Sequence, residues 1–287
     1  MRIILLGTAW PYRGGLAAFN ERLMQEFAQE GDHVSIQTFT LQYPAFLFPG
    51  EKQTDDRPAP DIDIQRTLSS VNPLSWIRAA RFIKKEKPDL LIIKFWTPFL
   101  APALGYVAGA VRKNKHTKVI CIADNIVPHE KHFYDRMLTK YFIKRMDAFV
   151  VMSKQVLTDL ALFDRKKLRA TNPHPLFDNF GERISKAEAC RALGLDPGKK
   201  YVLFFGFIRD YKGLDLLLDA FSDARILQED IHLIVAGEFY TERKGYDIMM
   251  HSLGNRVHLF DRFISDAEVR NFFCAADLVA QPYKHAT

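Results

Sequence analysis

Short apolar runs, each followed by a segment of helical period, recur along the whole chain, and this alternation limits the fold more than any other feature. Arg2 to Leu6, Leu90 to Ile93, Lys118 to Ala123, Ala148 to Met152, Tyr201 to Phe205 and His232 to Val235 are too short for helices. Apolar runs of this kind read as strands buried on both faces of a parallel sheet. Between them the pattern changes to helical spacing: Leu16, Phe19, Leu23 and Phe27, or Trp76, Ala79, Ala80 and Ile83 with Arg78, Arg81, Lys84 and Lys85 outward. Strand, helix and strand in repeated order predict an α/β chain with parallel sheets.

The alternation breaks once. Asn172-Pro173-His174-Pro175 biases the backbone to extended structure, and Asp178-Asn179-Phe180-Gly181 adds turn residues. A domain boundary is expected there, giving residues 1–175 and 176–287. The second alternation comprises helix Lys186–Leu193, strand Tyr201–Phe205, helix Leu214–Phe221, strand His232–Val235, a helix near Tyr246–Leu253, strand Val257–Phe260, helix Asp266–Ala275 and strand Leu278–Ala280. The expectation is two Rossmann-like, doubly wound domains facing each other. Leu41 to Pro60 reads as a long loop, and Lys131 to Arg145 as a helix. After Leu278–Ala280 no helix follows to cover the sheet, so the second domain is expected to be incomplete and the chain a fragment.

Composition narrows the partners. Hydrophobic residues make up 48% and charged residues 26% of the 287, as in a globular protein with a sizeable core. No signal peptide is expected at the start, and Pro98 to Val111 is too short and too rich in Pro and Gly to span a bilayer. Cys121, Cys190 and Cys274 are odd in number and lack metal-ligand spacing, which suits reduced thiols in the cytoplasm. A net charge of +6 favours an anionic partner: a nucleotide, a nucleic acid or an acidic membrane surface. Scattered cations and the lack of a reader motif argue against nucleic acid.

Three loops carry candidate chemistry. Phe204-Phe205-Gly206-Phe207-Ile208-Arg209-Asp210-Tyr211-Lys212-Gly213-Leu214 joins a strand to a helix and holds two cations. A helix N-terminus offers unpaired N–H groups, Arg209 can fork two phosphate oxygens, and Lys212 adds a point charge. A surface loop with two solvated cations has the same sequence signature. Gly14-Gly15 lies ahead of the first helix and permits close backbone approach, although a plain tight turn would also use it. Neither the dinucleotide nor the P-loop fingerprint occurs. Asp124-Asn125-Ile126-Val127-Pro128-His129-Glu130 follows a strand, at the sheet end where ligands of such folds bind. His129 beside Glu130 suits acid/base work or a sugar hydroxyl, and equally suits the start of the next helix. Lys131 to Arg145, with Phe133, Met137 and Tyr141 among its cations, suits either an anionic lipid surface or plain solvent.

Taken together the pieces resemble the retaining glycosyltransferases of family 4, of GT-B fold. The resemblance rests on Pro11-Tyr12-Arg13-Gly14-Gly15-Leu16, Asp124-Asn125 with Pro128-His129-Glu130, Phe205 to Leu214, Ala236-Gly237-Glu238-Phe239-Tyr240, and Ala276-Asp277-Leu278 through Pro282-Tyr283. It implies a nucleotide-diphosphate sugar donor, held through Gly206, Arg209, Lys212 and Glu238, with Gly14 and Gly15 at the phosphates. Asp124 and His129 would serve the reaction. The acceptor would be a cell-envelope glycan or a lipid-linked species, the enzyme a hexosyltransferase acting in the cytoplasm or at the inner face of the membrane, and no metal or cofactor is expected. Many relatives carry a His where this chain has Asp124. The family's Glu-x7-Glu region would begin near Thr287, so a C-terminally truncated chain, with weak turnover, is expected. Two other functions fit: a nucleotide-sugar 2-epimerase-like enzyme, and a non-catalytic module that binds a nucleotide or a membrane.

Overall fold

A computed structural model describes residues 1–48, 50, 52–54, 57–127 and 133–284. It divides into two compact units, Met1–Pro175 and Leu176–Thr287.

In the first unit β1 (Arg2–Leu6), α1 (Gly15–Gln29), β2 (His33–Leu41), β3 (Ile64–Ser69), α2 (Pro73–Glu86) and β4 (Leu90–Phe95) come first. Then follow α3 (Ala101–Val111), β5 (Lys118–Ala123), α4 (Asp135–Ile143), β6 (Ala148–Val151), α5 (Lys154–Ala161) and β7 (Leu168–Thr171). The seven strands run β3-β2-β1-β4-β5-β6-β7 in one parallel sheet, with Leu5 opposite both Ile36 and Ile92. Successive residues of β1 face opposite sides, as the pleat requires. Ile3 and Leu5 join Phe19 and Met24 of α1 on one face. Ile4 and Leu6 join Ala79, Ile83, Leu104 and Val107 of α2 and α3 on the other. Burying such a side chain stabilises the fold by about 1.5–3 kcal/mol, and Leu5→Ala would cost about 2–5 kcal/mol with its cavity.

The second unit contains α6 (Lys186–Leu193), β8 (Lys200–Phe205), α7 (Leu214–Phe221), α8 (Ala224–Leu227), β9 (Ile231–Ala236), α9 (Lys244–Leu253), β10 (Val257–Phe260), α10 (Asp266–Ala275) and β11 (Leu278–Val279). Its four parallel strands run β10-β9-β8-β11. Tyr201 and Leu203 pack with Cys190, Val269 and Phe272 on one face of the sheet. Phe204 packs with Leu214, Leu218, Tyr246 and Met250 on the other. In both units the order reverses beside the first strand, between β1 and β4 and between β8 and β11. That is the switch point at which open α/β sheets receive ligands.

Several boundaries differ from the sequence expectation. The extended segment Ile64–Ser69 adds an edge strand, β3, in a mixed polar stretch to which the sequence reading assigned no element. Strand β4 continues through Lys94 to Phe95, although a lysine in mid-sheet is contrary to the usual pattern. Helix α4 runs from Asp135 to Ile143, the expected start at Lys131 lying outside the described residues, and its buried residues are Asp135, Thr139, Phe142 and Ile143. Phe133 and Met137 lie on the outside, 97% and 67% exposed. The stripe of α1 is also shifted: Asn20 and Glu21 are buried, while Leu16, Leu23 and Phe27 are only partly so.

Candidate active site

In the first unit the loop from Gly7 to Gly14 links β1 to α1, and polar groups of α1 shape it. Asn20 donates from Nδ2 to the Thr8 carbonyl at 2.7 Å. The Glu21 carboxylate accepts the Trp10 amide at 2.6 Å and pairs with Arg57 Nη2 at 2.7 Å. Thr8 donates to Gln42 Oε1 at 2.8 Å, and the Thr38 hydroxyl accepts the Ala9 amide at 3.0 Å. Residues of the Leu41–Pro60 segment close over the loop. Tyr12 bridges to Thr54, Arg13 donates its amide to the Gln53 carbonyl, and the Trp10 indole donates to the Arg57 carbonyl at 2.9 Å. Gly14, at φ 93°, ends the loop, and Gly15 opens α1.

Beside this loop, at the carboxyl ends of β4 and β5, lies a buried ion pair. Lys94 is 1% exposed, and its Nζ stands 2.8 Å from Asp124 Oδ1 and 3.4 Å from the centre of the Phe19 ring. Burial pushes the Asp124 carboxyl up, opposed by Lys94 and more weakly by His174. Burial likewise pushes the Lys94 ammonium down, opposed by Asp124. The contact has the distance of an ion pair without hydrogen-bond alignment. Among the described residues both Asp124 oxygens, Lys94 Nζ and Asn20 Oδ1 lack hydrogen-bond partners. Such atoms are costly unless something polar completes them. The other candidate catalytic residue, His129, lies with Pro128 and Glu130 outside the described residues.

In the second unit the loop after β8 is held on three sides. Ile208 and Phe239 form a parallel bridge, and Gly206 N donates to the Ala236 carbonyl. Asp210 Oδ1 accepts from the Thr241 hydroxyl at 2.8 Å and from the Tyr246 hydroxyl at 3.0 Å, which ties the turn to α9. Lys284 donates its amide to the Tyr211 carbonyl and pairs with Asp215 at 2.7 Å, which ties the turn to the segment after β11. The backbones here approach too closely for any side chain. A Cβ on Gly213 would meet the Pro282 carbonyl oxygen at 2.0 Å, and one on Gly237 the Gly206 carbonyl oxygen at 2.1 Å.

The cations on this loop are treated differently from those in the first unit. Lys212 folds back over Gly206, whose added Cβ would lie 3.1 Å from Nζ. Burial pushes the Lys212 ammonium down, and the charge of Arg209 adds to the effect. Among the described residues no carboxylate pairs with Arg209 or Lys212; the Arg209 guanidinium lies 5.2 Å over the Tyr240 ring. Two neighbouring uncompensated cations at the switch point, one of them desolvated, call for an anion. Glu238, 6% exposed, follows β9 next to this loop, its carbonyl accepting the Ile208 amide at 2.9 Å.

The structure thus gathers Gly206, Arg209, Lys212 and Glu238 at one sheet end in the second unit, and Gly14, Gly15 and Asp124 at one sheet end in the first. Sequence reasoning missed Lys94, Asn20 and Glu21. In the sequence they appear only as polar residues within the apolar stripes of β4 and α1, a local trace that does not reveal their partners.

Residues 13–171, more than half of the chain, match the family described as Glycosyltransferase Family 4, and residues 185–286 match Glycosyl transferases group 1. The chain belongs to glycosyltransferase family 4. A lipopolysaccharide core biosynthesis mannosyltransferase of Rhizobium meliloti is 30% identical over 149 residues, which cover 51% of this chain and 41% of the relative. The chain therefore matches about two fifths of that relative's length. Among solved structures, sucrose-phosphate synthase from Thermosynechococcus elongatus superposes with a TM-score of 0.71 at 16% identity, covering 99% of this chain and 76% of the other. Anabaena HepE, solved in complex with UDP-glucose, gives 0.68 at 16% identity, covering 98% and 74%. At these identities the structural likeness concerns the fold, which is GT-B.

Proposed function

We propose that this family member transfers a sugar from a nucleotide-diphosphate sugar to a glycan or lipid-linked acceptor of the cell envelope, with retention at the anomeric carbon. One observation carries the reading: Arg209 and Lys212 stand uncompensated on the loop after β8, at the head of α7. A diphosphate supplies the missing charge. Arg209 offers in-plane N–H donors to two oxygens, and Lys212 a point charge. Each such contact is worth about 1.5–3 kcal/mol. It strengthens as the C1–O bond to the diphosphate breaks and negative charge grows on the leaving oxygen. The acceptor hydroxyl oxygen forms the new bond to C1 on the face the diphosphate leaves, and its proton passes to a diphosphate oxygen. The two cations provide the electrophilic stabilisation in this scheme, which needs no metal.

In the first unit, Gly14 and Gly15 would admit the phosphates to the backbone, and Asp124, held by Lys94, would accept a sugar hydroxyl. His129 is proposed for the same reaction from the family resemblance alone. Action at the cytoplasmic face of a membrane follows from a lipid-linked acceptor, and the exposed Phe133 and Met137 near Arg136 and Lys140 support it. Among the described residues no helix is long and apolar enough to cross a membrane.

A thermal-shift panel of UDP-, GDP- and ADP-sugars tests the reading. Stabilisation by one of them, lost in the Arg209→Ala/Lys212→Ala variant, is expected. A chain that responds to none of them, or responds equally without its two cations, overturns it.

A further inference from the structure

The loop after β8 is anchored by backbone hydrogen bonds at Gly206, Ile208, Tyr211 and Gly213, yet among the described residues the Arg209 side chain has no such anchor. Among the described residues its guanidinium is located by the ring of Tyr240, 5.2 Å away. Tyr240 is itself fixed. Its amide donates to the Ile208 carbonyl at 2.9 Å, and its ring stacks on Phe207 with centres 4.4 Å apart and planes inclined by 25°. Phe207 has Phe263 as a further aromatic neighbour at 6.4 Å. The result is an aromatic ladder, Phe263, Phe207 and Tyr240, carrying a cation at its end.

The kind of contact matters. A carboxylate partner would orient Arg209 and at the same time consume its N–H donors and cancel its charge. A ring attracts the cation through its quadrupole and leaves the in-plane donors uncommitted. An arginine that must fork two phosphate oxygens needs an orientation that does not compete with the ligand. We propose that Tyr240 is a positioning residue, which presents Arg209 to a nucleoside diphosphate by holding its guanidinium without neutralising it. The inference rests on the diphosphate reading above.

A double-mutant cycle on the full chain, with UDP, GDP and ADP as calorimetric probes, separates this role from plain packing. Tyr240→Leu should weaken the tightest of the three by about fivefold, the size of a partly desolvated cation–π contact. Tyr240→Phe, which keeps the ring, should stay within about twofold of the unmodified chain. In the Arg209→Ala background Tyr240→Leu should cause no further loss, because nothing remains to be positioned. If Tyr240→Leu does not fold, Tyr240→Gln, similar in reach but without a ring, carries the same expectation. Equal losses in both backgrounds, or full affinity without the ring, overturn the role of Tyr240 while the diphosphate reading survives. Arg209→Ala with unchanged affinity, or an unmodified chain that binds none of the three, overturns both.

Discussion

The loops after β1 and β8 occupy the same place in two sheets wired in the same order, and they handle charge in opposite ways. In the first unit the buried charges are matched internally: Lys94 meets Asp124 at 2.8 Å, and Glu21 meets Arg57 at 2.7 Å. In the second, Arg209 and Lys212 face each other's charge with no carboxylate among the described residues to offset it. Shared topology therefore fixes where a ligand can approach and leaves its charge open. The first site matches its charges without a ligand, although hydrogen bonds of Asp124, Lys94 and Asn20 stay incomplete among the described residues. The second carries an electrostatic strain that an anion would relieve.

The largest effect should come from removing that strain. Arg209→Ala/Lys212→Ala should lower nucleoside-diphosphate affinity by at least about a hundredfold, from two contacts of about 1.5–3 kcal/mol each. Folding stability should change by no more than about 1 kcal/mol, since the Arg209 contact with the Tyr240 ring is lost but no carboxylate is left unpaired; a larger fall in denaturant midpoint would show that the cations serve the fold instead. The reverse is expected of the first unit. Lys94→Met leaves Asp124 buried and unpaired, and should destabilise by about 3–5 kcal/mol, with Lys94→Met/Asp124→Asn recovering most of it. Trp10, Trp76 and Trp96 all lie in the first unit, so tryptophan fluorescence follows its unfolding directly. A neutral result for Lys94→Met would erase the contrast between the loops.

Glu21→Gln should have a smaller effect, about 1.5–3 kcal/mol, because the amide still accepts from Trp10 but no longer pairs with Arg57. The smallest effect is a pH dependence confined to the second unit. His258 meets His232 at 3.0 Å, and burial followed by the charge of His232 pushes His258 below the ordinary histidine range. The unfolded chain therefore binds the proton more readily than the folded one. The contribution is complete above about pH 6.5, the unfolded value, and is lost as pH falls through the lower folded value. Circular dichroism midpoints should drop on acidification, while His258→Gln flattens the trend.

Much of this was legible in the residues. Helices Leu214–Phe221 and Asp266–Ala275 and strands Lys118–Ala123 and Val257–Phe260 have the bounds that periodicity assigns them. The loop carrying Arg209 and Lys212 could be found because glycines, cations and flanking apolar runs are all local. Lys94 was not legible. A lysine at the end of an apolar run reads as the point where burial stops, since nothing nearby in sequence reveals a carboxylate thirty residues on. Asn20 and Glu21 were hidden for the same reason, their partners Thr8, Trp10 and Arg57 being brought in by the fold.

The sequence by itself determined most of the element order, the parallel wiring and the identity of the two cations on the loop after β8, because each depends on spacing within a few residues. Only the tertiary structure decided which charges are matched and which are not. That outcome depends on distances between segments far apart in the chain. At such buried positions, a partner a few ångströms away determines whether a charge supports the fold or awaits a ligand.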